Sequence, residues 1–280
     1  MKEFCVNLMC KVLEVSSSGF YAWCKRPESL RLKQNRALVT KIKAIHAQSR
    51  ETYGSPRVWD RLQKQGLQCS RTRVARLMNK AGIRSVHRSK FKPQTTDSKH
   101  TNPIACNVLE QDFKATAPNQ KWAGDITYIK TSQGWLYLAV VLDLYSRKVI
   151  GWAMSSSPNA ALVCKAFDMA VFRRRKPRAF IFHSDRGSQY ASFKFRNRLK
   201  QLNITCSMSR KANCYDNSVV ESFFHTLKVE HVHRYKYASR EIARKLIADY
   251  IEEFYNTNRA HSTLGYCSPV EFEDKFKHAA

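Results

Sequence analysis

The chain has 280 residues, 43% of them hydrophobic, which suits about two globular domains with cores of their own and excludes wholesale disorder. No apolar run reaches the roughly 18 residues of a membrane span, and nothing at the start resembles a secretory signal. The formal charge is +27, with Lys and Arg outnumbering Asp and Glu 23 to 8 in residues 1–117 and 26 to 14 in residues 118–280. Both halves are basic, so the expected partner is a polyanion, most simply nucleic acid, although a ribosomal or membrane-surface protein would carry similar charge. Nine scattered cysteines without a C-x-x-C pair make neither a disulfide framework nor a zinc site, and a reducing cytoplasm is expected.

In chain order, residues 1–45 read as a helical region in which "KVLEVSSSGFYAWCKR" gives an apolar helix, a serine turn and a short aromatic helix, a weak second helix-turn-helix. Residues 46–85 read as a helix-turn-helix. There Ser55 is expected to cap a helix with Pro56 at its first position, Val58 and Leu62 share a face, and Gly66 ends it. Ser70 caps the next helix, which carries Val74, Leu77 and Met78 on one stripe and ends at Gly82. Arg71, Thr72, Arg73 and Arg76 fall off that stripe, where a recognition helix meets a DNA groove; a hairpin with a solvated basic face would look the same. Residues 86–117 are polar, with prolines at 93 and 103, and read as a linker.

From Lys121 the period changes. "KWAGDITYIKT", "GWLYLAVVLDLYS" and "KVIGWAMSS" are three β-rich runs with short connections, a meander. Then come a helix ("NAALVCKAFDMAVFRR"), a strand ("AFIFHSD"), a helix ("ASFKFRNRLKQL"), a strand ("ITCSMS") and a helix ("NSVVESFFHTLKVE"), with a last helix near 240–255. The order implies an α/β domain over 118–232, a mixed sheet with flanking helices, followed by a helical extension over 233–280.

Asp125 lies inside the first strand and Asp185 at the tip of the fourth. If those strands are neighbours, both carboxylates point to one spot, with Glu221 approaching from the helix after strand five. Three close acids raise each other's pKa unless cations sit between them, and oxygen-only ligands suit Mg²⁺ or Mn²⁺. A basic protein with a small acidic, metal-demanding site points to two-metal phosphodiester chemistry.

"WAGDITYI", "FHSDRGSQY" and "ANCYDNSVVESFFHTLK" resemble the catalytic blocks of insertion-sequence transposases, the catalytic second-frame (OrfB-type) subunit with a retroviral-integrase-like core. Thirty-five residues separate Asp185 from Glu221, the D-D-35-E spacing of that family, and Lys228 matches its basic residue. The tail "YNTNRAHSTLGYCSPVEF" and the upstream "VSSSGFYAW" resemble the family too, and Ala212 stands where a glycine is usual. The resemblance implies a ribonuclease-H-like fold and a catalytic, metal-holding triad of Asp125, Asp185 and Glu221. By two-metal logic Asp125 would bridge two ions while Asp185 and Glu221 each hold one, and the resemblance implies cleavage of double-stranded DNA at the element's ends and strand transfer into a target. It also implies a homo-oligomer on DNA, partnership with the product of an upstream reading frame, and a place at the bacterial nucleoid. A nuclease that cuts without joining and a catalytically inactive DNA-binding regulator are the alternatives.

Neighbouring residues have plainer readings beside these. Asp143 reads as a turn cap before Ser146, and Asp216 as a helix cap. Asn217 caps, or touches the site from the Glu221 face. His183 shares a strand face with Asp185, as a supporting group or a core histidine, and His225 is equally open. Lys228 returns to the Glu221 face and holds a phosphate or is solvated. The run Arg173–Arg178 binds DNA or closes a helix. Glu230 lies on the opposite helix face from Glu221, so Glu230→Gln is expected to be mild for catalysis.

Overall fold

The computed structural model describes residues 5–86, 102–177, 179–211 and 213–279. Ala212, Arg178 and residues 87–101 of the expected linker lie outside the described residues. The chain forms two compact units, Met1–Arg84 and Ser85–Ala280.

The first unit is helical: α1 (Val6–Val12), α2 (Ser17–Lys25), α3 (Leu30–Gln48), α4 (Ser55–Lys64) and α5 (Arg71–Lys80). Its core is Leu38, Ile42 and Ile45 of α3 against Val58 and Leu62 of α4 and Val74, Leu77 and Met78 of α5. The expected division at 45/46 therefore falls inside α3, whose apolar positions share one stripe with charged residues all round. The α4–α5 turn is tied by Trp59 Nε1, which donates to the Cys69 carbonyl at 2.8 Å, and by Gln63 Nε2, which donates to the same oxygen at 3.0 Å. Ser70 caps α5 as expected, accepting from the Arg73 N–H at 3.2 Å. Ser55 does not cap α4: Gly54 holds the cap position without a side-chain bond. Pro56 in the first turn has its φ preset and no N–H to satisfy, so the end stands without one.

The second unit is a five-stranded mixed sheet of order β3-β2-β1-β4-β5. β1 (Lys121–Thr131), β2 (Gly134–Asp143) and β3 (Val149–Ser155) are the antiparallel meander; β4 (Ile181–Ser184) and β5 (Thr205–Met208) run parallel to β1. The parallel strands are reached through α6 (Ala160–Arg173), the short α7 (Ser188–Ala191) and α8 (Phe193–Gln201). α9 (Ser218–Glu230) follows β5, then α10 (Arg240–Asp249), a π-helical turn over Tyr250–Asn256, and α11 (Pro269–Ala279). This is the mixed sheet with flanking helices expected from the element order, in the ribonuclease-H-like arrangement that the family resemblance implies.

Period-2 alternation explains why both sheet faces are covered. On β2, Leu136, Leu138, Val140 and Leu142 enter a core shared with α9 and α10, while Ala139 and Val141 enter a second core with α6 and α8. The segment after α10 is part of the first core. Asn256 also closes the outer edge of β3, accepting from the Val149 N–H and donating to its carbonyl, each at 3.0 Å.

The end of the expected linker is not loose. Leu109 is buried, and the N–H groups of Val108 and Leu109 both donate to Ser207 Oγ. The polarity of this segment satisfies hydrogen bonds on the core rather than solvating a tether.

β3 packs on α6 at Gly151, where a Cβ would sit 2.2 Å from the Ala166 carbonyl oxygen and 2.7 Å from the Ala170 nitrogen. Backbone cannot swing aside as a side-chain tip can. Gly151→Ala is expected to destabilise the unit by at least ~1–3 kcal/mol, seen as a lower urea midpoint. An unchanged midpoint would contradict this close approach.

Candidate active site

The parallel pairing of β1 with β4 sets Gly124 beside Ser184, so the next residues along, Asp125 and Asp185, stand side by side at the end of β4. Both are partly exposed. Gly124 lets β1 come this close: a Cβ there would meet Phe182 Cζ at 2.7 Å and the Tyr190 hydroxyl at 3.2 Å. The Gly187 N–H donates to Asp185 Oδ1 at 2.9 Å, fixing the carboxylate over the turn. Glu221 lies on an exposed face in the first turn of α9.

Charge ties the three together. Burial, then the Asp185 carboxylate, push the Asp125 carboxyl well above its ordinary value; Glu221 adds to this, and the Ile126 N–H and Lys228 oppose it. Burial and Asp185 also raise Glu221. Burial, with the two aspartates, raises the Tyr190 hydroxyl far above 10.0, so it keeps its proton beneath the acids. Among the described residues no three His, Cys, Asp or Glu side chains are gathered closely enough to hold a metal by themselves. The structure thus pairs the two aspartates and leaves Glu221 within electrostatic reach rather than in a closed cluster, as mutual repulsion of like charges favours. Oxygen-only donors that raise one another's pKa fit a hard divalent cation.

Lys228 stands on the Glu221 side of α9. Its Nζ lies 4.9 Å from the centroid of the Tyr128 ring, and burial lowers its pKa while Asp125 opposes that shift. Asn217, buried one turn before Glu221, has no hydrogen-bond partner on either amide atom. His225 is exposed. His183 is a core histidine: Nδ1 lies 2.9 Å from Ser207 Oγ and Nε2 lies 3.2 Å from Ser209 Oγ. Burial pulls it down to about 4, which keeps it neutral at physiological pH.

Asp143 caps its turn, accepting from the Tyr145 and Asn119 N–H groups, and is fully buried beside Arg174 and Glu273. Arg174 is thereby held inside the fold, and Arg173 pairs with Glu252 at 2.7 Å, so two of the three described arginines of the run are paired with acids of this unit. In the helical unit Arg71, Thr72 and Arg76 are exposed, whereas Arg73 is half-buried, its Nε and Nη2 donating to Asn35 Oδ1 at 3.0 and 2.8 Å.

Asp216 is not a helix cap. It is buried and accepts from the Arg210 backbone N–H, from Arg210 Nε and Nη2, from Gln111 Nε2 and from Asn107 Nδ2. Arg210 above all holds its carboxyl far below 3.8. An acid with a depressed folded pKa stabilises at neutral pH and loses that contribution as pH falls below 3.8. Asp216→Asn is expected to loosen the loop that leads into α9, with faster amide exchange at 107–111 and 209–217 and a loss of roughly 1.5–3 kcal/mol. Unchanged exchange there would reduce Asp216 to a bystander. Sequence reasoning missed this anchor, Tyr190 and Asn35, since no local pattern marks the partner of a lone polar residue.

The Integrase core domain family matches residues 115–214 and again 221–276, and the HTH-like domain family matches residues 33–91. The chain is 47% identical over 275 residues to the transposase InsF of insertion sequence IS3A from Escherichia coli K12, covering 98% of this chain and 95% of the relative. It is 43% identical over 272 residues to a 31 kDa protein of insertion element IS600 from Shigella sonnei, covering 97% of this chain and 100% of the relative. Among solved structures, a simian T-cell lymphotropic virus intasome has a TM-score of 0.48 at 16% identity, covering 83% of this chain and 74% of that one. The HTLV-2 integrase catalytic core domain in complex with magnesium, in its trimeric form, has a TM-score of 0.44 at 16% identity, covering 57% and 99%. No helix among the described residues is long and apolar enough to cross a membrane. With an HTH-like domain ahead of an integrase core, and near-half identity along almost its whole length, the chain belongs to the insertion-sequence transposases: it is a DNA transposase, a polynucleotidyl transferase.

Proposed function

We propose that Asp125, Asp185 and Glu221 are the catalytic, metal-holding acids of a transposase that cleaves DNA at the ends of its insertion sequence and joins the freed ends to target DNA. The observation that carries this is the β1–β4 pairing, which sets Asp125 beside Asp185 with Glu221 in their field. Two Mg²⁺ or Mn²⁺ ions would supply Lewis-acid stabilisation of the phosphate in flight and of the leaving oxygen. Asp125, in the field of both other acids, would hold the ions together with Asp185 and Glu221. Asp185 is oriented by the Gly187 N–H, and Tyr190 closes the site from below with a hydroxyl that keeps its proton. Lys228, beside Asp125 on α9, holds a DNA phosphate near the acids. Cleavage and strand transfer are one in-line displacement with different nucleophiles, water and then a 3′-OH, so one set of acids serves both.

Arg71, Thr72 and Arg76 of α5 are the DNA-facing residues of the helix-turn-helix, and Arg73 sets the helix through Asn35 while offering its remaining N–H groups. Residues 46–85 and 118–232 divide recognition from chemistry, and the active form is a homo-oligomer on paired element ends, in partnership with an upstream-frame product.

Incubation of the full chain with element-end DNA and Mg²⁺, Mn²⁺ or Ca²⁺, scored for nicks and joined strands, tests the reading. Nicked and joined products with Mg²⁺ or Mn²⁺ are expected. Nicks that never join would favour a nuclease, and tight binding with no product in any metal would favour a regulator.

A further inference from the structure

A cleft of about 680 Å³ lies in the second unit, between the turn end of the β1–β2 hairpin, the C-terminal half of α9 and residues 232–237. That volume is in the range that takes a nucleotide-sized ligand. Two large rings are left in water there: Trp135 is 47% exposed and Tyr235 is 49% exposed. Neither ring is loose. Trp135 stands edge-on to Tyr128 with centroids 5.1 Å apart, and Tyr235 stacks on the buried Tyr237 at 6.4 Å. Aromatic faces held by a second ring are platforms made ready before a ligand arrives, and exposed rings in a concave site mark a binding surface.

The charge says what kind of ligand. Lys130, Lys228 and Lys236 line the cleft, and no carboxylate does. Tyr237 adds a buried hydroxyl without a hydrogen-bond partner, a group that gains from a polar ligand atom. Lys228 belongs to the cleft and also lies in the field of Asp125, so one side chain links the cleft to the acids. A base stacked in a duplex hides both faces, whereas an unpaired base offers its π-face to any ring.

We propose that this cleft receives one unstacked nucleotide of the DNA strand next to the reacting phosphate. Its base lies on the Trp135 and Tyr235 rings, and its phosphates lie on the lysines. The position next to the reacting phosphate rests on the reading of Asp125, Asp185 and Glu221 given above; the rings and charges of the cleft do not.

The test is a binding measurement on the full chain without divalent cations, so no catalysis is involved. Two random-sequence duplexes are compared, one flush-ended and one with a short single-stranded flap carrying 2-aminopurine. The wild-type chain should prefer the flapped duplex and quench the 2-aminopurine. Trp135→Ala and Tyr235→Ala should each reduce that preference about tenfold and restore the fluorescence, while flush-duplex affinity stays the same. Trp135→Phe should keep most of the preference, because it keeps a ring. Lys236→Gln should weaken flap binding and lessen its salt dependence. Both rings are half in water, so their loss leaves the core packed, and an unchanged melting temperature checks this. Unchanged quenching and preference in both alanine variants would overturn the proposal, as would an equal loss for flush and flapped DNA. A fully active Asp125→Asn protein would sink the catalytic reading alone and leave this measurement standing.

Discussion

Asp125→Asn, Asp185→Asn and Glu221→Gln should each abolish nicking and joining of element-end DNA, by roughly a thousandfold or more, while the variants stay folded and bind DNA. Each swap is nearly isosteric, so the β1–β4 pairing and the first turn of α9 keep their packing. Each also removes a negative oxygen from the set proposed above to hold cations against a phosphate gaining charge. Several kcal/mol of charge stabilisation are lost, at about 1.4 kcal/mol per decade of rate. The matched control is Asp143→Asn. Asp143 lies at the end of β2, in a buried group with Arg174 and Glu273, and burial there raises it to about 6. Its replacement should lower the melting temperature and leave the rate per folded molecule near normal. Catalysis lost at Asp143 and preserved at Asp125 would move the site off β1 and overturn the assignment.

Glu230→Gln should be among the most destabilising single changes in the core, at about 3–5 kcal/mol. The sequence pattern puts Glu230 on the face of α9 opposite Glu221 and makes its change mild for catalysis. The burial of Glu230 adds a cost in stability that helix position alone does not reveal. Glu230 is buried, and Arg259 grips it with both arms, Nε to Oε2 at 2.8 Å and Nη2 to Oε1 at 2.7 Å, while the Tyr250 hydroxyl donates to Oε2 at 2.8 Å. A glutamine in this place points an N–H₂ at a guanidinium and leaves the charge of Arg259, only 5% exposed, without its counter-ion. Urea unfolding of the single variant checks the size of the loss. The double change Glu230→Leu with Arg259→Met should recover much of it, because removing both charges removes the unpaired one. A Glu230→Gln protein with wild-type stability would mean that the pair holds nothing together.

Asp216 and Arg73 follow the same logic as Glu230. Spacing reads Asp216 as a cap and Arg73 as a free groove reader. Yet Asp216 gathers donors from Arg210 and from residues 107 and 111, about a hundred positions earlier, and Arg73 lies against Asn35, 38 positions away. No window of sequence contains both ends of such a contact.

What the chain determines by itself is whatever repeats locally. The strands at 121–131, 134–143 and 149–155 announce themselves by apolar β-branched and aromatic runs broken at turns, and α5 by Ser70, its apolar stripe and Gly82. The order of those elements already requires a mixed sheet with helices on its faces, and it puts Asp125 and Asp185 on strands that can pair. Tertiary structure alone decides the rest. It turns Glu230 from a surface acid into half of a buried ion pair, draws residues 107–111 onto the core, and turns His183 toward Ser207 and Ser209 rather than the acids. A backbone's preference is carried by a residue and its near neighbours, whereas the fate of a charge depends on which partner the fold brings to it and on how much water the fold leaves there.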